Sequence, residues 1–155
     1  MAEAVSLRDT VSSQMKEAMK SGDKIRVGAL RLIMSALKDR EIEARGAGKV
    51  VTRADELALL TKMAKTRQES LAIYKDNGRE DLAAQESAEI AVINEFLPKQ
   101  MDDDAVAEAA RAAIAETGAS SVRDMGKVVN ALKTKYPGQM DFAKASGIVK
   151  GLLAG

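Results

Sequence analysis

The 155-residue chain contains no cysteine and no histidine. These absences exclude disulfides, cysteine nucleophiles, imidazole acid–base catalysis and zinc sites of the usual ligand types. Aromatic residues make up only 3% of the chain and there are two prolines, whereas hydrophobic residues reach 46% and charged residues 30%. A composition so rich in helix formers and so poor in strand formers predicts an all-α protein.

The chain also lacks a strong charge of either sign, since 24 basic residues nearly balance 23 acidic ones. A global electrostatic attraction to nucleic acid is therefore excluded, and any contact with nucleic acid has to be local. The first six residues contain no apolar core, and the most apolar stretch, residues 27–37, is interrupted by Arg31. Because neither a signal peptide nor a membrane span is present, the sequence predicts a cytoplasmic protein.

Capping residues and apolar residues at helical spacing predict four helices in the first part of the chain. N-caps are expected at Ser6, Asp23 and Thr52, and the fourth helix is expected to run from about Arg79 to Leu97. We interpret these elements as an N-terminal bundle of four helices.

Pro98 marks the predicted domain boundary, because a proline disfavours helical geometry in the residue before it. Beyond it the sequence predicts three helices: an alanine-rich one starting at residues 102–104, one capped by Ser121 and ending at about Lys135, and a last one over residues 141–152. We therefore expect an N-terminal helical domain of residues 1–97 and a small three-helix domain of residues 98–155.

The sequence shows no motif of a catalytic, cofactor or metal site. The segment 46–50 lacks the spacing of a phosphate-binding loop, and the acids of 102–104 fit the start of a helix better than a Mg²⁺ site. The serines at 120 and 121 lack the surroundings of a nucleophile. Glu86 and Glu89 show no sign of burial, so we expect them on a solvated helix surface.

A group of lysines in the last two predicted helices is the strongest candidate for a binding site. It consists of five of the eight basic residues beyond residue 97: Lys127, Lys133, Lys135, Lys144 and Lys150. The acids beside them, Asp124 and Asp141, are expected to cap helices, which leaves the lysines as an uncompensated patch able to meet phosphates. A pair of merely solvated helices fits the spacing equally well. Because few aromatic residues lie nearby, RNA contact through backbone or shape is favoured over base stacking.

Gly126 lies early in one of these helices, where a glycine costs about 1 kcal/mol relative to alanine. Such a glycine implies the close approach of another backbone or of a ligand, and we predict tight packing against another helix. A weak internal repeat, residues 124–127 against 141–144, predicts two similar helix starts packed together.

Several segments, together spanning nearly the whole chain, resemble the YqeY family. They are Leu30-Arg31-Leu32-Ile33, Lys38-Asp39-Arg40-Glu41-Ile42-Glu43, Arg79-Glu80-Asp81-Leu82, Ala88-Glu89-Ile90-Ala91-Val92-Ile93, Phe96-Leu97-Pro98-Lys99-Gln100 and Asp124-Met125-Gly126-Lys127. The resemblance implies an N-terminal helical domain followed by a three-helix domain similar to the GatB tail domain of the tRNA-dependent Asp/Glu amidotransferase.

The resemblance implies a stand-alone, non-catalytic module that binds tRNA or acts beside it, as the amidotransferase tail does. Two alternatives stay open. The first is an accessory component of a tRNA-dependent amidotransferase, with carbon–nitrogen ligase activity using glutamine as amido-N-donor, and the second is a protein–protein adaptor without RNA. The partners expected are tRNA and amidotransferase or synthetase components, with no membrane, metal or cofactor. No catalytic residue of the family can be carried onto this chain.

Overall fold

A computed structural model describes residues 6–154, and all regular structure within them is helical. The seven α-helices are α1 Leu7–Ser21, α2 Lys24–Gly46, α3 Arg53–Asp76, α4 Glu80–Asn94, α5 Asp103–Thr117, α6 Met125–Lys135 and α7 Phe142–Ala154. A 3₁₀ turn, Val122–Asp124, precedes α6. The predicted all-α fold class, with four helices followed by three, is confirmed.

The chain divides into two compact units, Met1–Leu97 and Pro98–Gly155, which we call unit 1 and unit 2. Unit 1 contains α1 to α4, in which α3 packs on α4 while α2 contacts both α1 and α4. Its most deeply buried side chains are Val11, Leu30, Ile33, Leu60 and Ile93. Burying one such side chain contributes about 1.5–3 kcal/mol, so this apolar cluster holds the four helices together.

The helix starts of unit 1 follow the predicted caps. Ser6 Oγ accepts the N–H of Asp9 at 3.2 Å, and Asp23 Oδ1 accepts the N–H of Arg26 at 3.1 Å. Thr52 and Asp55 form a reciprocal capping box at the start of α3. These side chains satisfy backbone donors that have no partner within the helix, which is why the helices begin where they do.

The end of α4 differs from the sequence prediction. The regular helix stops at Asn94 instead of continuing to Leu97. The N–H groups of the next three residues donate to carbonyls three residues earlier instead of four. The last of these hydrogen bonds runs from the N–H of Leu97 to the carbonyl of Asn94 at 3.2 Å. Such tightening of a final turn is common, and here Pro98 disfavours helical geometry at the preceding residue.

Unit 2 is a three-helix arrangement in which α5, α6 and α7 all contact one another. Its core combines small residues of α5 with branched residues of the other two helices, including Ala110, Val128, Leu132 and Val149. The small alanine side chains allow α5 to lie close to both neighbours. At the start of α5, Asp102 Oδ1 accepts the N–H of Ala105 at 2.8 Å and caps the helix.

The segment that enters unit 2 is fastened to the turn between α6 and α7. Gln100 Nε2 donates to the carbonyl of Pro98 at 2.9 Å and to the carbonyl of Gly138 at 2.7 Å. The N–H of Met101 donates to the carbonyl of Gln139 at 2.9 Å. These hydrogen bonds satisfy loop backbone groups and hold the beginning of the unit beside the α6–α7 turn.

Candidate nucleic-acid interface

The five lysines predicted as a nucleic-acid site, Lys127, Lys133, Lys135, Lys144 and Lys150, are all exposed in the structure. Three lie on α6 and two on α7, and these two helices pack against each other. The structure therefore places all five lysines on one pair of neighbouring helices.

On α6 the buried residues are Val128, Val129 and Leu132. With about 100° of rotation per residue, Lys127 and Lys133 fall outside this buried stripe, on the same exposed side as Gly126 and Asn130. Lys135 occupies a separate position at the end of the helix. Its Nζ lies 5.7 Å from the ring centroid of Tyr136, within the range of a cation–π interaction.

The exposed side of α7 repeats the pattern of α6 at an offset of 17 residues. Its lysines are Lys144 and Lys150, and between them lies Gly147. Each helix thus presents a small residue, a lysine, a small or short polar residue and a second lysine, in that order: Gly126, Lys127, Asn130 and Lys133 on α6, and Ala143, Lys144, Gly147 and Lys150 on α7. We call these two exposed sides the lysine faces.

The expectation that the lysines are uncompensated is wrong for two of them. Lys144 Nζ lies 2.7 Å from Asp103 Oδ1, and Lys135 Nζ lies 3.8 Å from Glu116 Oε1. Both acids belong to α5, which is distant in sequence but packs on α6 and α7. Exposed pairs of this kind contribute only about 0–1 kcal/mol, so they do not bar these lysines from binding a phosphate.

Ion pairing leaves the other three lysines available. Across residues 6–154, no ion pair involves Lys127, Lys133 or Lys150. The lysine face of α6 therefore keeps both of its charges, whereas the face of α7 keeps one charge and shares the other with α5.

The prediction of tight helix packing against Gly126 is wrong. A Cβ atom built on this residue meets no other atom within 4 Å, and the same is true of Gly147 and Gly151 on α7. These glycines lie on the exposed sides of their helices, away from the cores. These glycines therefore leave the helix backbone uncovered at their positions.

Asp124 and Asp141 both bind backbone amides at helix starts, as expected. The N–H groups of Ser120 and Ser121 donate to Asp124 Oδ2 at 2.9 and 3.3 Å, and these hydrogen bonds, aided by the charge of Lys127, lower the pKa of Asp124. Asp141 Oδ1 accepts the N–H of Ala143 at 3.0 Å. Both acids therefore stabilise the helices that carry the lysines.

A second polar cluster, in unit 1, contradicts the expectation that Glu86 and Glu89 face solvent. Arg67 Nε donates to Glu89 Oε2 at 3.0 Å between α3 and α4, and only 18% and 12% of the two side chains are exposed. Glu86 Oε2 is buried without a hydrogen-bond partner among the described residues. Burial, followed by the charge of Glu89, raises the pKa of Glu86. The apolar residues of α4 do not gather on one side, so no periodicity indicated which side is buried.

Neither a metal site nor a membrane span is found in the part of the chain that the structure describes. Within that range, no group of three or more acidic side chains is arranged to hold a metal ion. Nor does any helix between residues 6 and 154 combine the length and hydrophobicity needed to cross a membrane.

One protein family and several proteins from yeasts are similar to this sequence. The family described as "Yqey-like protein" matches residues 8–153. "Altered inheritance of mitochondria protein 41, mitochondrial" of Candida glabrata is 35% identical over 91 residues, which are 57% of this chain and 48% of the relative. Its namesakes in Vanderwaltozyma polyspora and in Saccharomyces cerevisiae strain S288c are 31% identical over 90 residues and 32% identical over 97, covering 56% and 61% of this chain and 46% and 48% of the relatives. The chain spans about half the length of these relatives.

Proposed function

The chain belongs to the YqeY family, and from that premise we propose that it is a non-catalytic module that binds tRNA through the lysine faces of α6 and α7. The observation that carries the proposal is the repetition of one exposed pattern on two packed helices. Lysines alternate there with glycine, alanine and the short polar residue Asn130. A surface that carries positive charges and few protruding side chains between them suits the phosphate backbone of a folded RNA.

The spacing of the lysines supports contact with a backbone rather than with bases. The two lysines of each face are six residues apart, which corresponds to about 9 Å along a helix axis. Gly126 and Gly147 leave the helix backbone uncovered beside them, so a phosphate or ribose can approach more closely than a larger side chain would permit. Neither lysine face carries an aromatic residue for base stacking.

The non-catalytic part of the proposal rests on the composition of the whole sequence. Without histidine or cysteine, the chain lacks the usual general base near neutral pH and the usual thiol nucleophile.

The cytoplasmic location also remains part of the proposal. Because the yeast relatives carry "mitochondrial" in their names, fractionation of cells producing the tagged protein is the test of location.

The test is binding of bulk tRNA to the full chain over a series of salt concentrations. The variant combines Lys127→Ala, Lys133→Ala, Lys144→Ala and Lys150→Ala, and the control combines alanine substitutions at four exposed lysines of unit 1: Lys16, Lys20, Lys62 and Lys75. We expect the first variant to bind at least about tenfold more weakly, with a shallower dependence of affinity on salt, because fewer counterions are released.

Two results would contradict the proposal. One is the absence of saturable tRNA binding by the wild-type chain at low salt, which favours the adaptor alternative. The other is an equal loss of affinity in the control variant, since that places the binding outside the lysine faces. Circular dichroism of each variant shows whether the helices are retained.

A further inference from the structure

The outer side of α2 carries a seven-residue repeat that neither the core nor the lysine faces use. Its basic residues are spaced by seven: Lys24, Arg31, Lys38 and Arg45. A second row follows the first three of these cations directly and consists of Ile25, Leu32 and Asp39. A third row with the same spacing consists of Gly28, Ser35 and Ile42. In the notation of a coiled coil, these three rows occupy positions g, a and d of consecutive heptads.

This outer side is exposed along its whole length. All ten residues of the repeat are exposed, including Ile25 at 65%, Leu32 at 42% and Ile42 at 64%. The opposite side of α2 supplies Leu30, Ile33 and Leu37 to the core of unit 1. Exposed apolar side chains scattered singly are ordinary, but here they share one stripe of one helix with a row of cations.

Two grooves flank this stripe and meet at Gly28. One lies between α1 and α2, has a volume of about 490 Å³ and is lined by Met19, Val27 and Gly28 among others. The other lies between α2 and α4 and has a volume of about 390 Å³. Its lining includes Gly28, Ala84 and Ala88 together with the acidic residues Asp81 and Glu89. A Cβ atom built on Gly28 meets no atom within 4 Å. The stripe therefore has holes on both sides that can receive side chains of a second helix.

The cations of the stripe have no acidic partners in the described structure. Between residues 6 and 154, no ion pair involves Lys24, Arg31, Lys38 or Arg45. Like charges repeated at g positions select a partner helix that brings the opposite charge to the facing positions.

The charge pattern argues against a second copy of this chain as the occupant. In an antiparallel pair the g positions face each other, so cations would oppose cations. In a parallel pair they face e positions, which here are Ala29, Ala36 and Glu43 and supply a single acid. Like-charge contact disfavours the antiparallel pair, and the parallel pair leaves most of the cations without an acidic partner. Phosphate groups satisfy the cations but leave Ile25, Leu32 and Ile42 uncovered.

We propose that the outer face of α2, defined by the heptad positions of residues 24–45, docks an acidic amphipathic helix of a partner protein. The partner's apolar residues cover Ile25, Leu32 and Ile42 and enter the grooves at Gly28, while its Glu and Asp side chains pair with the four cations. Asp39, at an a position, favours a basic or amide residue opposite it. The inference concerns unit 1 and does not depend on tRNA binding by unit 2.

The probe for the test is a synthetic 28-residue helical peptide with leucine at a and d and glutamate at e and g. Mutual repulsion of the glutamates keeps the peptide from pairing with itself. A matched peptide carries lysine at e and g. The protein is the full chain, compared with a charge-reversed variant that combines Lys24→Glu, Arg31→Glu, Lys38→Glu and Arg45→Glu.

We expect the wild-type chain to bind the acidic peptide at least about tenfold more tightly than the basic one, and the charge-reversed variant to show the opposite preference. A second variant, Ile25→Ser with Leu32→Ser, keeps all four cations and is expected to weaken binding of the acidic peptide about tenfold or more. This variant separates docking from simple charge attraction. Reversal of Lys16, Lys20, Lys62 and Lys75 to Glu is the matched control and is expected to preserve the preference.

Three results would overturn the proposal. The first is no saturable binding of the acidic peptide at low salt, and the second is unchanged binding by the serine variant. The third is failure of both peptides together with loss of bulk RNA binding in the charge-reversed variant, which assigns the stripe to phosphate instead. Circular dichroism of both variants confirms that α2 is intact, and the exposure of all the substituted side chains makes this the expected result.

Discussion

Arg67 and Glu89 pair across α3 and α4 with their Nε and Oε2 atoms 3.0 Å apart, and less than a fifth of either side chain is exposed. Glu86 lies three residues before Glu89 on the same helix and adds a second carboxylate, whose Oε2 is buried without a partner among the described residues. The charge of Arg67 lowers the pKa of Glu86, but burial and Glu89 raise it more. The single positive charge of Arg67 therefore lies beside two carboxylates, those of Glu86 and Glu89, between α3 and α4.

Removing the guanidinium should destabilise the protein. In Arg67→Met the apolar stem is kept, but Glu89 loses its charged donor in a mostly buried position. We expect the free energy of unfolding in urea to fall by about 1–3 kcal/mol. The control is Arg8→Met, whose pair with Glu41 is 44% and 40% exposed and should contribute about 1 kcal/mol or less. Equal losses in the two variants would contradict the assignment of a buried pair.

Glu86→Gln should stabilise the protein at neutral pH. Because the pKa of Glu86 is raised in the folded state, the unfolded chain releases this proton first, and stability declines as the pH rises from the ordinary carboxyl pKa through the raised one. Glutamine mimics the protonated form. We expect a gain of less than about 1 kcal/mol at pH 7, because solvent screens part of the effect, and almost none at pH 4, measured by urea unfolding.

The exposed residue Glu69 supplies the matched control for this experiment. Glu69→Gln should leave the pH dependence of the wild-type chain unchanged. A loss of stability in Glu86→Gln at pH 7 would show that the carboxylate has a partner that stabilises its charged form.

Asp124→Ala should lower the midpoint of thermal unfolding at pH 7, because the variant lacks the acceptor for the amides of Ser120 and Ser121. The pKa of Asp124 is lowered from its ordinary value of 3.8, so its stabilising effect is present above that pH and is lost as the pH falls through the lowered pKa. The difference between variant and wild type should therefore shrink in strong acid.

The same measurement separates capping acids from other exposed acids. Asp141→Ala removes the acceptor for the N–H of Ala143 and should cost about 0.5–2 kcal/mol. Asp76→Ala is the control, since an acid in the last turn of α3 opposes the helix dipole and its removal should not destabilise the protein. Unchanged unfolding of both capping variants would leave these acids without a structural role.

Gly147→Ala should raise stability while weakening tRNA binding. Gly147 has helical geometry and open space around its missing side chain, so alanine should stabilise α7 by about 0.5–1 kcal/mol. The added methyl group lies between Lys144 and Lys150, where the proposal places the RNA backbone. Gly118→Ala is the contrasting variant, because its φ of +69° disfavours alanine and should reduce stability. Higher stability with unchanged tRNA affinity would show that the RNA does not contact α7 at Gly147.

The features predicted correctly from the sequence are those that depend on neighbours a few residues apart. The caps at Ser6, Asp23 and Thr52 join a side chain to an amide three residues later. Apart from the end of α4, the errors concern contacts between helices. Lys144 pairs with Asp103, 41 residues away, and the burial of Glu86 depends on packing that no local pattern specifies. The prediction of packing at Gly126 fails for the same reason, because its surroundings are determined by the arrangement of helices and not by its neighbours in sequence.

Gln100 has a consequence for how unit 2 can be used apart from the rest of the chain. Its side chain ties Pro98 to Gly138, and the amide of Met101 binds Gln139, so the entry to the unit is closed by groups that all follow residue 97. Cleavage between Leu97 and Pro98 breaks none of these hydrogen bonds. All the hydrogen bonds that fix the entry to α5 therefore lie within unit 2, and we expect a chain that begins at Pro98 to keep them.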